Sequence, residues 1–172
     1  LLMAAVPLVW VLLQPISGAL SDRLGTRPVS LLGLFFILAG YLTMTTLQLD
    51  SSQVGFVLRM LPVSIGMSIF NSPNNSAIMG AAPKNRLGVA SAVLSMVRTL
   101  GQVIGISVLG AFFYGRLAVH AGGPVALEEA APEVITAALH DQFWLVAALV
   151  SIGLVTALLT WRWERAHRRD QE

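Results

Sequence analysis

The residue best placed to do chemistry is Arg98. It stands eleven residues into a long apolar run that begins at Leu87. At the helical rise of about 1.5 Å per residue that is roughly 16 Å along the run, a depth comparable to a bilayer midplane. A charge at such depth faces a water-filled cavity or a partner group. No acidic residue of the chain lies at a similar depth, so the expected partner is a carbonyl, water, a substrate or a carboxylate from elsewhere. Direct ligand contact and structural pairing both stand as readings.

Other features of the apolar runs stand out. Asn71, Asn74 and Asn75, with Ser72 and Ser76, make the end of one apolar run unusually polar, and Pro73 among them can interrupt a helix and free carbonyls. This is either a helix end leaving the membrane or a cavity-lining segment. Gln14-Pro15 and Pro62 read as kinks. Gly101 and Gly105, four apart, share a helix face that suits close packing in lipid. Arg59 opens its run near one face, where it can snorkel.

These residues need a scaffold, and composition dictates its kind. The 172 residues are 55% hydrophobic and 12% charged, with a mean hydropathy of +0.73. Soluble domains carry roughly 25% charged residues. The expected fold is all-α, a polytopic transmembrane bundle. Five runs are long enough to span, at about 1–20, 28–49, 53–79, 87–115 and 142–161, with 164–172 as a tail. The runs lack the alternation of barrel strands. Pro132 can start a helix that leads into the last span.

Charge placement orients the bundle. With the Asp22 turn inside, the cytoplasmic segments hold Arg23, Arg27, Lys84, Arg86, Arg162, Arg165, Arg168 and Arg169, against Arg116 alone outside. That predicts a multi-pass protein of the cell membrane with a cytoplasmic C-terminal tail. It also excludes nucleic acid as the meaning of the net charge of +2. The chain has no cysteine, and His120, His140 and His167 are scattered, so neither a disulfide nor a metal site nor a cofactor is expected. The start inside an apolar run, at Leu1, suggests a piece of a longer protein.

The stretch Gly18-Ala19-Leu20-Ser21-Asp22-Arg23-Leu24-Gly25-Thr26-Arg27-Pro28 joins two spans by a tight charged turn. Gly25 suits positive φ, Pro28 the first turn of the next helix, and Asp22 can accept bonds from Arg side chains or a helix N-terminus. The stretch resembles the major facilitator signature Gly-x-Leu-Ser/Ala-Asp-Arg-x-Gly-Arg-Arg/Lys. Gly18, Leu20, Asp22, Arg23, Gly25 and Arg27 match, and Thr26 departs, as in the second copy of that signature. The later pattern of Arg59, Gly66, Pro73, Gly88-Val89-Ala90-Ser91 and Arg98-x-x-Gly101-x-x-x-Gly105 is similar to the fourteen-span multidrug:proton antiporter branch. Met60-Leu61-Pro62 departs from the glycines usual in that branch after Arg59.

The resemblance implies the C-terminal five helices of a transporter that rocks around a midplane site. It implies proton-coupled efflux of amphiphilic, often cationic, small molecules, with coupling carboxylates in absent N-terminal helices. Its expected partners are the lipid bilayer, a small-molecule substrate and protons. An exporter of a sugar, peptide or metabolite is the runner-up, and a non-transporting scaffold or sensor is the alternative of another class. No His, Cys or carboxylate cluster supports a membrane enzyme.

Overall fold

The computed structural model describes residues 5–48 and 52–169, with side chains described for 12–48 and 52–163. Five helices follow one another: α1 Ala5–Leu24, α2 Thr26–Met44, α3 Gln53–Ala81, α4 Leu87–Ala121 and α5 Pro132–Arg169. A short 3-10 turn, Lys84–Arg86, leads into α4. Among the described residues, four helices are long and apolar enough to cross a membrane: α2, α3, α4 and α5. The expected first span, 1–20, corresponds to α1, but its first four residues, and the side chains as far as Val11, lie outside the described part. The all-α bundle agrees with the composition.

Local chemistry explains the helix boundaries. Gly25 takes φ +88°, its N–H bonds the Ser21 carbonyl at 2.9 Å, and the chain turns from α1 directly into α2. Only glycine adopts that conformation without strain. α2 ends at Met44, short of the expected residue 49. Thr43, Thr45 and Thr46 each turn a hydroxyl back onto the carbonyl three residues earlier, at 2.7–2.8 Å. Such bonds compete with the helical ladder and favour its end. Ser52 caps α3 by accepting the Gly55 N–H at 3.1 Å. α4 closes on Gly122 at φ +77°, with the Gly123 N–H reaching back to the Ala118 carbonyl. α5 starts at Pro132, ten residues before the apolar run, and runs unbroken to Arg169, so residues 164–169 continue a helix.

Pro73 does not break α3, contrary to the sequence expectation. The helix runs through both Pro62 and Pro73. Pro73 has no N–H to give the Ile69 carbonyl four residues earlier. That carbonyl instead accepts the Ser17 hydroxyl of α1, at 3.0 Å. Ser17 is 2% exposed and Pro73 is fully buried, so the freed acceptor is satisfied where water does not reach it.

The tightest packing is between α2 and α3. A Cβ placed on Gly66 would lie 2.6 Å from the Ile37 backbone N and 2.7 Å from the Gly33 carbonyl. One on Gly33 would lie 2.7 Å from the Phe70 N, and one on Gly40 would lie 2.7 Å from the Val63 N. Missing side chains thus bring the two backbones together, the small-residue packing that lipid favours. Gly101 and Gly105, singled out for that role, have open space where a side chain would go. Within this bundle α4 leans on α5, meets α3 sparsely, and has no described element along that face. α4 instead exposes Val93, Met96, Val97, Leu100, Val103 and Ile104.

Candidate functional site

α1 and α3 line an open polar cavity of about 490 Å³. Gln14, Pro15 and Gly18 form the α1 wall, and Asn71, Ser72, Asn75 and Ser76 form the α3 wall. The spacing explains the lining: residues 14 and 18, and residues 71 and 75, lie one helical turn apart and share a face. The Ser17–Ile69 bond ties the two walls together beside it. Gly18 allows the approach, since its Cβ would already touch the Ser72 Oγ at 3.4 Å.

Arg98 reaches this wall from α4. Its Nη2 donates to the Asn75 Oδ1 at 2.7 Å. The expected partner is therefore a carbonyl, and it belongs to a side chain of this chain. Asn71 secures its own amide by donating Nδ2 to the Met67 carbonyl at 2.8 Å. Asn74 does not join the group. It lines a second pocket of about 310 Å³ with Thr26, Arg27, Ser30, Phe70 and Trp161. Asn71 and Asn75 are stacked by the helical period, while Asn74 projects from another side. Gln14, read from sequence only as part of a kink, is the lining residue that was missed; its signal was an amide four residues before Gly18 within an apolar run.

The signature loop sits at the Asn74 end. Gly18, Leu20, Asp22 and Arg23 occupy the last two turns of α1, and Arg27 opens α2 beside the second pocket. Asp22 is exposed, and among the described residues no hydrogen bond reaches it. Trp161 of α5 meets the same pocket, so that part of α5 lies beside Arg27.

The opposite ends are clipped by polar contacts that sequence reasoning did not pair. Asp141 Oδ2 of α5 accepts from Arg116 Nε at 2.6 Å and from His120 Nε2 at 2.7 Å. Arg116 and His120 are one turn apart on α4. Arg116 stands on the order of 43 Å along α4 from Leu87, beyond a hydrocarbon core of about 30 Å. There, the His120 hydrogen bond first, and then the bond and charge of Arg116, hold the Asp141 carboxyl below its ordinary range, against the opposing effect of burial. His140 Nε2 donates to the Leu47 carbonyl at 2.6 Å, fastening α5 to the end of α2. Arg59 Nε bonds Thr46 Oγ1 at 3.3 Å at that same end.

No group of three or more His, Cys, Asp or Glu able to hold a metal occurs among the described residues. What the site offers is amides, hydroxyls and one guanidinium around a cavity: groups that bind and orient a molecule.

The chain is 26% identical over 156 residues to the riboflavin transporter RibZ of Clostridioides difficile, covering 91% of this chain and 33% of that protein. It is 30% identical over 101 residues to the multidrug transporter protein MdtP of Bacillus subtilis, covering 59% of this chain and 19% of that one. It is 33% identical over 99 residues to the multidrug resistance protein Stp of Mycobacterium tuberculosis, with 58% and 18% covered. The chain thus spans a third or less of the length of these relatives. No solved structure matches. A family model described as Major Facilitator Superfamily matches residues 1–106. With the signature turn at Gly18–Arg27, the apolar helical bundle and transporter relatives along most of its length, the chain belongs to the Major Facilitator Superfamily.

Proposed function

We propose that this chain forms part of a proton-coupled exporter of drugs or other amphiphilic small molecules, working by alternating access in the cell membrane with the C-terminal end of α5 in the cytoplasm. The observation that carries the reading is the polar cavity between α1 and α3, with Arg98 bonded to its lining, inside helices that otherwise present apolar side chains. A soluble fold has no use for such a bundle, and a membrane fold retains buried polar groups where they meet a substrate, an ion or one another. Relatives named for multidrug transport and resistance support the substrate class. Export of a metabolite is the second reading, favoured by the riboflavin transporter, whose match extends over 91% of this chain.

Proton coupling needs a titratable group near the membrane centre. The cavity lining contains none. The coupling carboxylates are therefore assigned to helices of the longer protein outside this chain, which also supply the opposing wall of the chamber. The test is reconstitution of the full-length protein in liposomes with an imposed pH gradient, with riboflavin as the probe. Saturable flux that a protonophore abolishes is the expected result. Gradient-driven flux from residues 1–172 alone would overturn the division of labour.

A further inference from the structure

The cavity's chemistry says more than that something binds there. Its lining has amides at Gln14, Asn71 and Asn75 and hydroxyls at Ser72 and Ser76, and no acidic side chain. The charge that reaches this lining is Arg98, which bonds the lining residue Asn75 without itself lining the cavity. A guanidinium is donor-only, so the atom of Asn75 that faces it must be the oxygen, and the Asn75 NH2 is left to donate elsewhere. Four further N–H donors remain on Arg98 itself. Donors and positive potential therefore dominate this wall, with the Asn71 oxygen as a lesser acceptor, since its NH2 is held by Met67.

We propose, building on the transporter reading above, that this cavity is the substrate chamber and that Arg98 makes it selective. This wall of the chamber receives the carboxylate, enolate or carbonyl oxygens of a substrate and disfavours its cationic groups. A cation at this wall would meet a like charge, whereas an oxygen acceptor meets a planar fork of donors suited to it. This departs from the often cationic substrates implied by the resemblance. It assigns to Arg98 a specificity-determining role, with Asn75 fixing the guanidinium at the wall.

The test exploits the absence of cysteine in this chain. In the full-length transporter, with cysteines elsewhere replaced, Asn71→Cys and Ser76→Cys each place one thiol in the chamber. Each thiol is reacted with anionic sulfonatoethyl methanethiosulfonate and with its cationic trimethylammonioethyl counterpart. Both rates are divided by those for free 2-mercaptoethanol. The anion-to-cation ratio should exceed one at both positions. It should fall on the order of tenfold in Arg98→Gln, as expected for loss of one charge at close range, and hold in Arg98→Lys. A ratio at or below one in the parent, or one indifferent to Arg98→Gln, overturns the proposal. If Arg98→Gln does not fold, the parent ratio at the two positions still decides. Absence of gradient-driven flux with the ratio intact would strike the transporter reading instead, so the two failures are distinguishable.

Discussion

The Ser17 hydroxyl of α1 donates to the Ile69 carbonyl of α3 across 3.0 Å, and Ile69 is the residue whose helical partner would have been the missing N–H of Pro73. The bond converts a local defect of one helix into an attachment between two. Ser17→Ala should leave that carbonyl unsatisfied and lower stability by about 1 kcal/mol. Pro73→Ala restores the N–H, so the same Ser17→Ala change should cost much less in that background. Thermal unfolding of the four proteins of this cycle in detergent measures the coupling. Equal costs in both backgrounds would disconnect the two residues.

Gly66→Ala should destabilise the α2–α3 pair, since the added carbon meets backbone at 2.6 and 2.7 Å, where no side chain can rotate away. Gly101→Ala meets no atom of this bundle, so a fall in melting temperature there would report packing against helices outside these residues. Expression level and melting temperature of the full-length variants decide. A neutral Gly66→Ala would contradict the packing described.

The Asp141 clip predicts an acid dependence. Its carboxyl is held below the ordinary 3.8, so the clip stabilises the fold fully above that value and is lost as pH falls through the lowered one. Asp141→Asn should remove this part of the acid sensitivity. Melting temperatures of wild type and variant should differ at neutral pH and draw together as pH falls below the ordinary carboxylate range. Parallel curves would dismiss the clip.

Orientation is testable by labelling. Single cysteines at Thr26 and Asn85 should react with a membrane-impermeant reagent only from the cytoplasmic side, and one at Gly123 only from outside. Labelling of Thr26 in intact cells would invert the topology.

Asp22 is exposed at the end of α1 with no hydrogen bond to it among the described residues. Its proposed role is to latch the cytoplasmic face to an Arg side chain or helix N-terminus elsewhere in the longer protein. Asp22→Asn should reduce flux at least severalfold with membrane insertion intact. Wild-type flux in the variant would remove the role.

The apolar runs were legible as helices because length and composition suffice for that, and the Gly25 turn was legible because a glycine before Thr26-Arg27-Pro28 has a local conformational meaning. Arg98 and the polar α3 segment stood out because polarity is conspicuous in an apolar run. Partners were not legible. Nothing local distinguishes Gly33, Gly40 and Gly66, which meet backbone, from Gly101 and Gly105, which meet open space; the difference lies in which helices adjoin. Arg116 was placed outside by its sequence position, yet its pairing with Asp141, which His120 shares, depends on how α4 and α5 lean together. Pro73 misled because the rule for proline counts a lost N–H and cannot see Ser17 arriving from another helix.

The α2–α3 seam also has a genetic consequence. Every missense change that one nucleotide can make in a glycine codon installs a side chain, and at Gly33, Gly40 and Gly66 each such side chain would collide with the neighbouring helix backbone. No conservative neighbour exists in codon space for these positions. Drift along this seam therefore has to proceed by paired changes or not at all, whereas the open face of α4 at Gly101 and Gly105 leaves such neighbours sterically free within this bundle.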